Sequence, residues 1–164
     1  MTISYEERTK IEAFLFLEAR LADESQYSAW EELIDDKMEY VVYGDTRGEP
    51  GLTRKAALIN DHRERVATRI RQFKTGRRYA QVPPSPMRRM LSNIEIFPKG
   101  ERCYEVACNF VVYELQIQTS REMVTWPGRF VYGLRETESG FRMFSKKVEL
   151  VNRSEPLPNL SILI

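Results

Sequence analysis

The side chains able to do chemistry are few and scattered. There is one histidine, His62, and there are two cysteines, Cys103 and Cys108. An iron–sulfur centre of the mixed type needs two cysteines and two histidines. A mononuclear non-haem iron site needs two histidines and a carboxylate. A structural zinc site takes four Cys or His ligands at set spacings. One histidine and two cysteines cannot build any of the three. No Gly-x-Gly-x-x-Gly, phosphate-binding loop or Gly-x-Ser-x-Gly run occurs either.

Acid–base work is what remains. His62 stands beside Asp61, and Asp35, Asp36 and Tyr40 lie near a β-type run. In a closed pocket, His62, Asp35 and Tyr40 could move protons. The plainer reading places His62 on the surface of a helix's first turn and makes Asp35-Asp36 a helix-to-strand turn. The plainer reading is preferred, with no catalytic and no metal-binding residue expected on this chain.

The arginines form the second constellation. Arg63, Arg65, Arg69, Arg71, Lys74, Arg77 and Arg78 face one carboxylate, Glu64, in the same stretch. Nucleic acid could use them as phosphate contacts. The net charge of +1 and the lack of an interleaved single-strand motif argue against it. Pairing with carboxylates of a neighbouring subunit is the preferred reading. Pro83-Pro84-Ser85-Pro86, then Arg88-Arg89 and Asn93, reads as a rigid loop feeding a strand. It could also serve as a preformed docking surface.

These residues need elements to hold them. Ser4-Tyr5-Glu6-Glu7 fits a capping box. Ile11, Phe14, Leu15 and Glu18 continue at helical spacing, with Leu17 and Leu21 widening the apolar face, so a helix is expected over about 5–22. A short helix should carry Trp30 and Leu33, with Ser28 as its cap. Met38–Tyr43 is rich in β-formers and reads as a strand. Gly44–Thr53 reads as a loop with a mobile tip. A third helix is expected from Asn60-Asp61 to Gly76, followed by an irregular stretch up to Met87.

Four strands are then expected: Arg88–Phe97, Arg102–Thr119, Val124–Glu138 and Phe141–Val151. Ser139-Gly140 would make a hairpin turn between the last two. Helices first and an antiparallel meander after them is an α+β pattern. In the second of these strands Val106, Cys108, Phe110 and Val112 share one face, and Ala107, Val111 and Tyr113 the other. Both faces are apolar, so a second subunit is expected to cover one of them. The apolar tail Pro156–Ile164 should be tied into a core or an interface.

Composition sets outer bounds. The 164 residues suit a single domain over 1–164. Charged residues make up 30% and apolar ones 42%, ordinary for a globular protein. No apolar run nears the roughly 20 residues that span a bilayer. The polar opening residues lack a secretory layout, so the cytoplasm is the expected location, with no membrane and no nucleic acid as partner. Cys103 and Cys108 are an odd number apart on one strand and should point to opposite faces, as free thiols.

The order of several short motifs adds to this. Phe14 to Glu24 carries Phe-Leu, Glu-Ala and Leu-x-Asp-Glu, followed by Trp30 and Tyr40. Then come Arg65-Val66, Arg69-Ile70 and Thr75-Gly76, and the block Pro83-Pro84-Ser85, Arg88-Arg89, Ser92-Asn93. Asn109-Phe110-x-Val112-Tyr113, Gly128-Arg129, Leu134-Arg135 and Asn159-Leu160-Ser161 follow in order. Over nearly the whole length the chain resembles the small (β) subunit of the aromatic-ring-hydroxylating dioxygenases. It departs from that pattern at Pro86, at Val42-Tyr43-Gly44 and at Lys146-Lys147.

The resemblance implies a cone-shaped half-barrel of a curved, mainly antiparallel sheet with three helices, the nuclear-transport-factor-like or cystatin-like fold. It implies homo-trimer contacts and a large (α) oxygenase subunit that holds a Rieske iron–sulfur cluster and a mononuclear iron. A reductase, sometimes with a ferredoxin, would feed electrons to a complex that makes cis-dihydrodiols from aromatic rings. Arg65, Arg69, Arg77, Pro84, Ser85, Arg88, Arg89 and Asn93 are the subunit-interface candidates. The rival is a small dehydratase, isomerase or ligand-binding protein of the same cone, with His62, Asp35 and Tyr40 in an open interior. Whether aromatic and aliphatic side chains fill that interior separates the two.

Overall fold

The computed structural model describes residues 3–44 and 57–164. The loop expected over Gly44–Thr53 lies, past Gly44, outside the described residues. The first helix, α1 (Tyr5–Asp23), begins as its sequence predicts. Ser4 Oγ accepts from the Glu7 amide at 3.1 Å, and Glu7 accepts from the Ser4 amide at 2.8 Å. Both orphan amides at the helix start are thereby satisfied. Ile11, Phe14, Leu15 and Leu21 form its buried stripe, joined by Glu18. Ser25, in the left-handed region at φ +55°, turns the chain into α2 (Tyr27–Glu31).

Two expectations fail at α2. Its N-cap is Gln26 with no side-chain cap bond, so Ser28 is not the cap. Leu33 lies beyond the helix, its amide still bonded to Trp30 O at 3.0 Å. Strand β1 runs Ile34–Tyr43 and takes in Asp35-Asp36, which therefore are not a separate turn. The cause is tertiary: the Met143 amide donates to Leu33 O at 2.9 Å and draws the chain into the sheet early.

Strand β2 (Ala57–His62) occupies the place expected for a helix start. Asn60 and Asp61 are strand residues, paired across from Val41 and Tyr40. α3 (Arg63–Lys74) starts only after them, with His62 as its N-cap residue rather than inside its first turn. Asx residues favour helix starts through local bonds, but here the ladder to β1 overrides that preference. A 3₁₀ turn, Tyr79–Gln81, interrupts the stretch expected to be irregular.

Strands β3 (Met87–Pro98), β4 (Cys103–Leu115), β5 (Met123–Thr137) and β6 (Gly140–Leu150) form the expected meander. β4 stops four residues early because Gln116 turns back to bond Glu122 O at 3.0 Å and takes the Arg121 amide at 2.9 Å. The hairpin to β6 is tight, but its turn is Glu138-Ser139 and not Ser139-Gly140: Thr137 pairs with Gly140, which opens β6 at φ +108°. The sheet has six strands in the order β2-β1-β6-β5-β4-β3. β1 joins β6 in parallel, the one departure from an antiparallel sheet. Strands thus also lie between the helices, not only after them.

The sheet curves around one hydrophobic core. From β4 it takes Tyr104, Val106, Cys108, Phe110 and Val112, and from β5 Trp126, Phe130, Tyr132 and Leu134. Helices α1, α2 and α3 close the other side through Leu15, Trp30, Val66 and Ile70. Ile162, Leu163 and Ile164 are buried in the same core. The apolar tail is therefore held by this chain itself. On the outer face of β4, Ala107 is buried, Val111 half-buried and Tyr113 exposed. Cys108 faces the core and Cys103 is half-buried; both are free thiols.

Candidate functional site

The interior of the cone carries charge. Lys146 on β6 and Glu18 on α1 both have fully buried side chains, with Nζ 2.8 Å from Oε1. Trp30 Nε1 donates to the same Glu18 oxygen at 2.7 Å. The Lys146 ammonium also lies 4.4 Å from the centroid of Phe130. Burial alone would push the Glu18 carboxyl up, but the Lys146 and Arg89 charges and these hydrogen bonds hold it below its ordinary value. Burial pushes the Lys146 amine down.

A second buried pair closes the top of α1. Arg89 Nε donates to Asp23 Oδ1 at 2.7 Å, and the Arg89 amide donates to Asp23 Oδ2 at 2.8 Å. Arg89 Nη2 then donates to Leu163 O at 2.8 Å. Tyr40 performs the same task beside it, donating to Ile164 O at 2.8 Å. Tyr40 is fully buried, and desolvation raises its hydroxyl well above the usual phenol range. It is an anchor for the tail and not a free acid.

The three acid–base candidates do not converge. Tyr40 points into the core, while His62 is exposed at the end of β2, paired across from Glu39. Asp35 pairs with Arg135 at 3.5 Å and caps the Lys37 amide at 2.9 Å. The space beside His62 is a shallow surface concavity of about 450 Å³ lined by Asp36, Lys37, Met38, Glu39, Arg63 and Glu64. The interior itself is occupied by Trp30, Trp126, Tyr40, Tyr132 and Phe130, all fully buried. Phe130 stacks on Phe110 at 3.7 Å between centroids. Among the described residues, no three His, Cys, Asp or Glu side chains gather as a metal site.

The eight interface candidates divide into two groups. Arg69, Ser85 and Arg89 make bonds within the chain. Arg69 pairs with Asp61 at 2.6 Å. Ser85 donates to Glu114 at 2.8 Å, and Gln81 bridges Ser85 and Ser161 at 3.2 and 2.9 Å. Glu114, fully buried, also accepts from Trp126 Nε1 at 2.9 Å. This network pins the proline loop and the tail to β4 and β5. Arg65, Arg77, Pro84, Arg88 and Asn93 are exposed, and of these Arg88 also donates to Met87 O at 3.1 Å and lies 3.9 Å from Glu24. Asn93 sits at a bulge in β3, at φ +52°, where the register to β4 shifts.

Sequence reasoning missed Glu18, Lys146 and Glu114 as a buried polar set. The signal was faint: Glu18 falls on the apolar stripe of α1, and Lys146 and Glu114 on the inward parity of their strands.

Solved structures share this arrangement. The β subunit of benzoate 1,2-dioxygenase from Burkholderia mallei superposes with a TM-score of 0.73 at 21% identity, covering 99% of each chain. Naphthalene 1,2-dioxygenase with bound indole gives 0.80 at 14% identity, over 99% of this chain and 95% of that one. An NTF2-like protein with a cystatin-like fold from Novosphingobium aromaticivorans gives 0.61 at 19% identity, over 90% and 83%. At these identities the likeness speaks for the fold alone. The family described as ring hydroxylating beta subunit matches residues 17–154, most of the chain. With its curved sheet, three helices and filled cone, this chain belongs to the ring-hydroxylating dioxygenase beta-subunit family.

Proposed function

We propose that this chain is the non-catalytic small subunit of a multicomponent aromatic-ring-hydroxylating dioxygenase. It assembles with a large subunit that bears a Rieske cluster and a mononuclear iron, and that cis-dihydroxylates an aromatic substrate in catabolism. It does so in the cytoplasm as one domain, in a trimer of small subunits under a trimer of large ones. A reductase or ferredoxin reaches the complex through the large subunit.

One observation carries this reading: the cone is packed shut by its largest side chains, Trp30, Trp126, Tyr40, Tyr132 and Phe130. A small acid–base enzyme of this fold needs that volume for its substrate. Membership of the family supports the same conclusion. Exposed Met90, Tyr113 and Met123 on the outer side of the sheet give copies of the subunit an apolar surface to share.

The test is a mild affinity capture of the tagged chain from its native cells, with iron assay and a visible spectrum. A stoichiometric larger partner with iron and Rieske-type absorption is expected. An iron-free homo-oligomer without a partner would overturn the proposal and bring back the dehydratase, isomerase or ligand-binding reading.

A further inference from the structure

We infer that the exposed side of α3 and the segment after it form the docking surface for a carboxylate-rich face of the large subunit. This rests on the assembly reading above. Seven cations and one carboxylate lie between residues 63 and 78. Two of the seven pair with carboxylates among the described residues: Arg63 with Glu31 at 3.1 Å and Arg69 with Asp61 at 2.6 Å. Among the described residues, Arg65, Arg71, Lys74, Arg77 and Arg78 have no carboxylate partner. The stretch 45–56 holds three cations and two carboxylates, so it cannot neutralise them in sum. With a net charge of only +1, the rest of the chain is net negative. The positive surface is a local feature.

What adjoins these cations is apolar and held in place. Tyr79 is 89% exposed, Val82 is 43% exposed, and Pro83 and Pro84 stand out beside them. From beneath, Gln81 and Ser85 are fixed to Glu114 at 3.3 and 2.8 Å. Gln118 adds a bond to Ala80 O at 2.5 Å. Arg78 lies 4.6 Å over Phe73, which stacks on Tyr27 at 4.8 Å. The Arg78 Nη1 is buried without a hydrogen-bond partner. Such a surface loses little entropy on docking. An exposed aromatic that directly follows Arg77 and Arg78, neither of them with a carboxylate partner among the described residues, suits an interface in which Tyr79 is the anchor and guanidinium groups fork onto carboxylates. A nucleic acid would also meet the cations, but it has no use for the Val82–Pro84 wall, and the near-neutral chain gives it no long-range attraction.

The experiment uses the full chain in its native cells. Tagged wild type, Tyr79→Ala and the variant Arg65→Ala, Arg71→Ala, Lys74→Ala, Arg77→Ala are captured at low and high salt. The retained partner is measured by its iron. The wild type should lose the partner at high salt, and the quadruple variant should bind about ten-fold more weakly at low salt, with little further salt dependence. Tyr79→Ala should weaken binding with the salt dependence unchanged. Arg77→Glu, at an exposed position, carries the same test should the quadruple variant fold poorly. Equal partner retention by all variants overturns the docking surface and leaves the assembly reading standing. No iron-bearing partner on the wild type overturns the assembly reading itself. Displacement of the partner by duplex DNA, together with DNA binding lost in the variant, overturns the protein-docking assignment in favour of a nucleic-acid surface.

Discussion

Lys146 Nζ meets Glu18 Oε1 at 2.8 Å across 128 residues of sequence, with both side chains wholly removed from solvent. The pair ties the first helix to the last strand through the middle of the cone. In the low-dielectric interior each ion depends on the other.

Breaking the pair from one side should therefore be severe. Glu18→Leu or Lys146→Met alone is expected to cost about 3–5 kcal/mol, because one charge stays buried without its partner. The double variant Glu18→Leu with Lys146→Met should recover most of that loss. Urea unfolding of the four proteins as a double-mutant cycle checks both statements. Additive single losses would show that the two charges are not coupled.

Acid should act on the same pair. The Glu18 carboxyl is held below its ordinary value of 4.5. A carboxyl depressed in the folded state contributes stability above the unfolded value, and that contribution is lost as pH falls through the folded value. The Lys146 amine, pushed down by burial, acts at the other end of the scale: its contribution rises as pH climbs from its folded value towards 10.5. Thermal unfolding midpoints should drop below about pH 4.5, and the double variant should show a shallower drop. Parallel pH profiles for the two proteins would contradict this.

Two glycines on β5 should respond differently to alanine. A Cβ at Gly128 would collide with the backbone carbonyl of Glu149 and come within 2.8 Å of the Phe110 ring, which is itself stacked on Phe130. A Cβ at Gly133 would meet the Phe144 side chain first, at 2.5 Å. A backbone atom in a paired strand cannot yield as a side chain can. Gly128→Ala should destabilise by roughly 3 kcal/mol or prevent folding, and Gly133→Ala by about 1 kcal/mol. Chemical denaturation ranks them; equal losses would mean that β6 yields as readily as a side chain.

The two thiols should be separable by alkylation. Burial raises the Cys108 thiol to about 12, while Cys103 is half-buried near the start of β4. The thiolate is the reactive form. Iodoacetamide at mildly alkaline pH should label Cys103 first, and Cys108 only after denaturation. Mass spectrometry of the labelled peptides gives the order, and early labelling at Cys108 would show that the core opens.

The sequence by itself determined the elements with strong local signals. The capping box Ser4–Glu7 and the stripe from Ile11 to Leu21 set α1, and two-residue periodicity set β3 to β6. The joint order of short motifs pointed to the family. One histidine and two cysteines bounded the metal chemistry open to the chain. These are local or additive properties, and a linear reading captures them.

Tertiary structure alone decided the rest. β2 is a strand only because β1 lies beside it, and Asn60-Asp61 otherwise spell a helix start. Nothing local tells that β1 runs parallel to β6, or that the last residues turn back to meet Tyr40 and Arg89. Among the arginines, the same side chain serves the fold at Arg69 and Arg89 and stands exposed at Arg65 and Arg77. The difference is whether a carboxylate distant in sequence, Asp61 or Asp23, arrives within hydrogen-bond reach. The Lys146–Glu18 pair follows the same rule, since a charge is buried only where long-range packing brings its counterion to it.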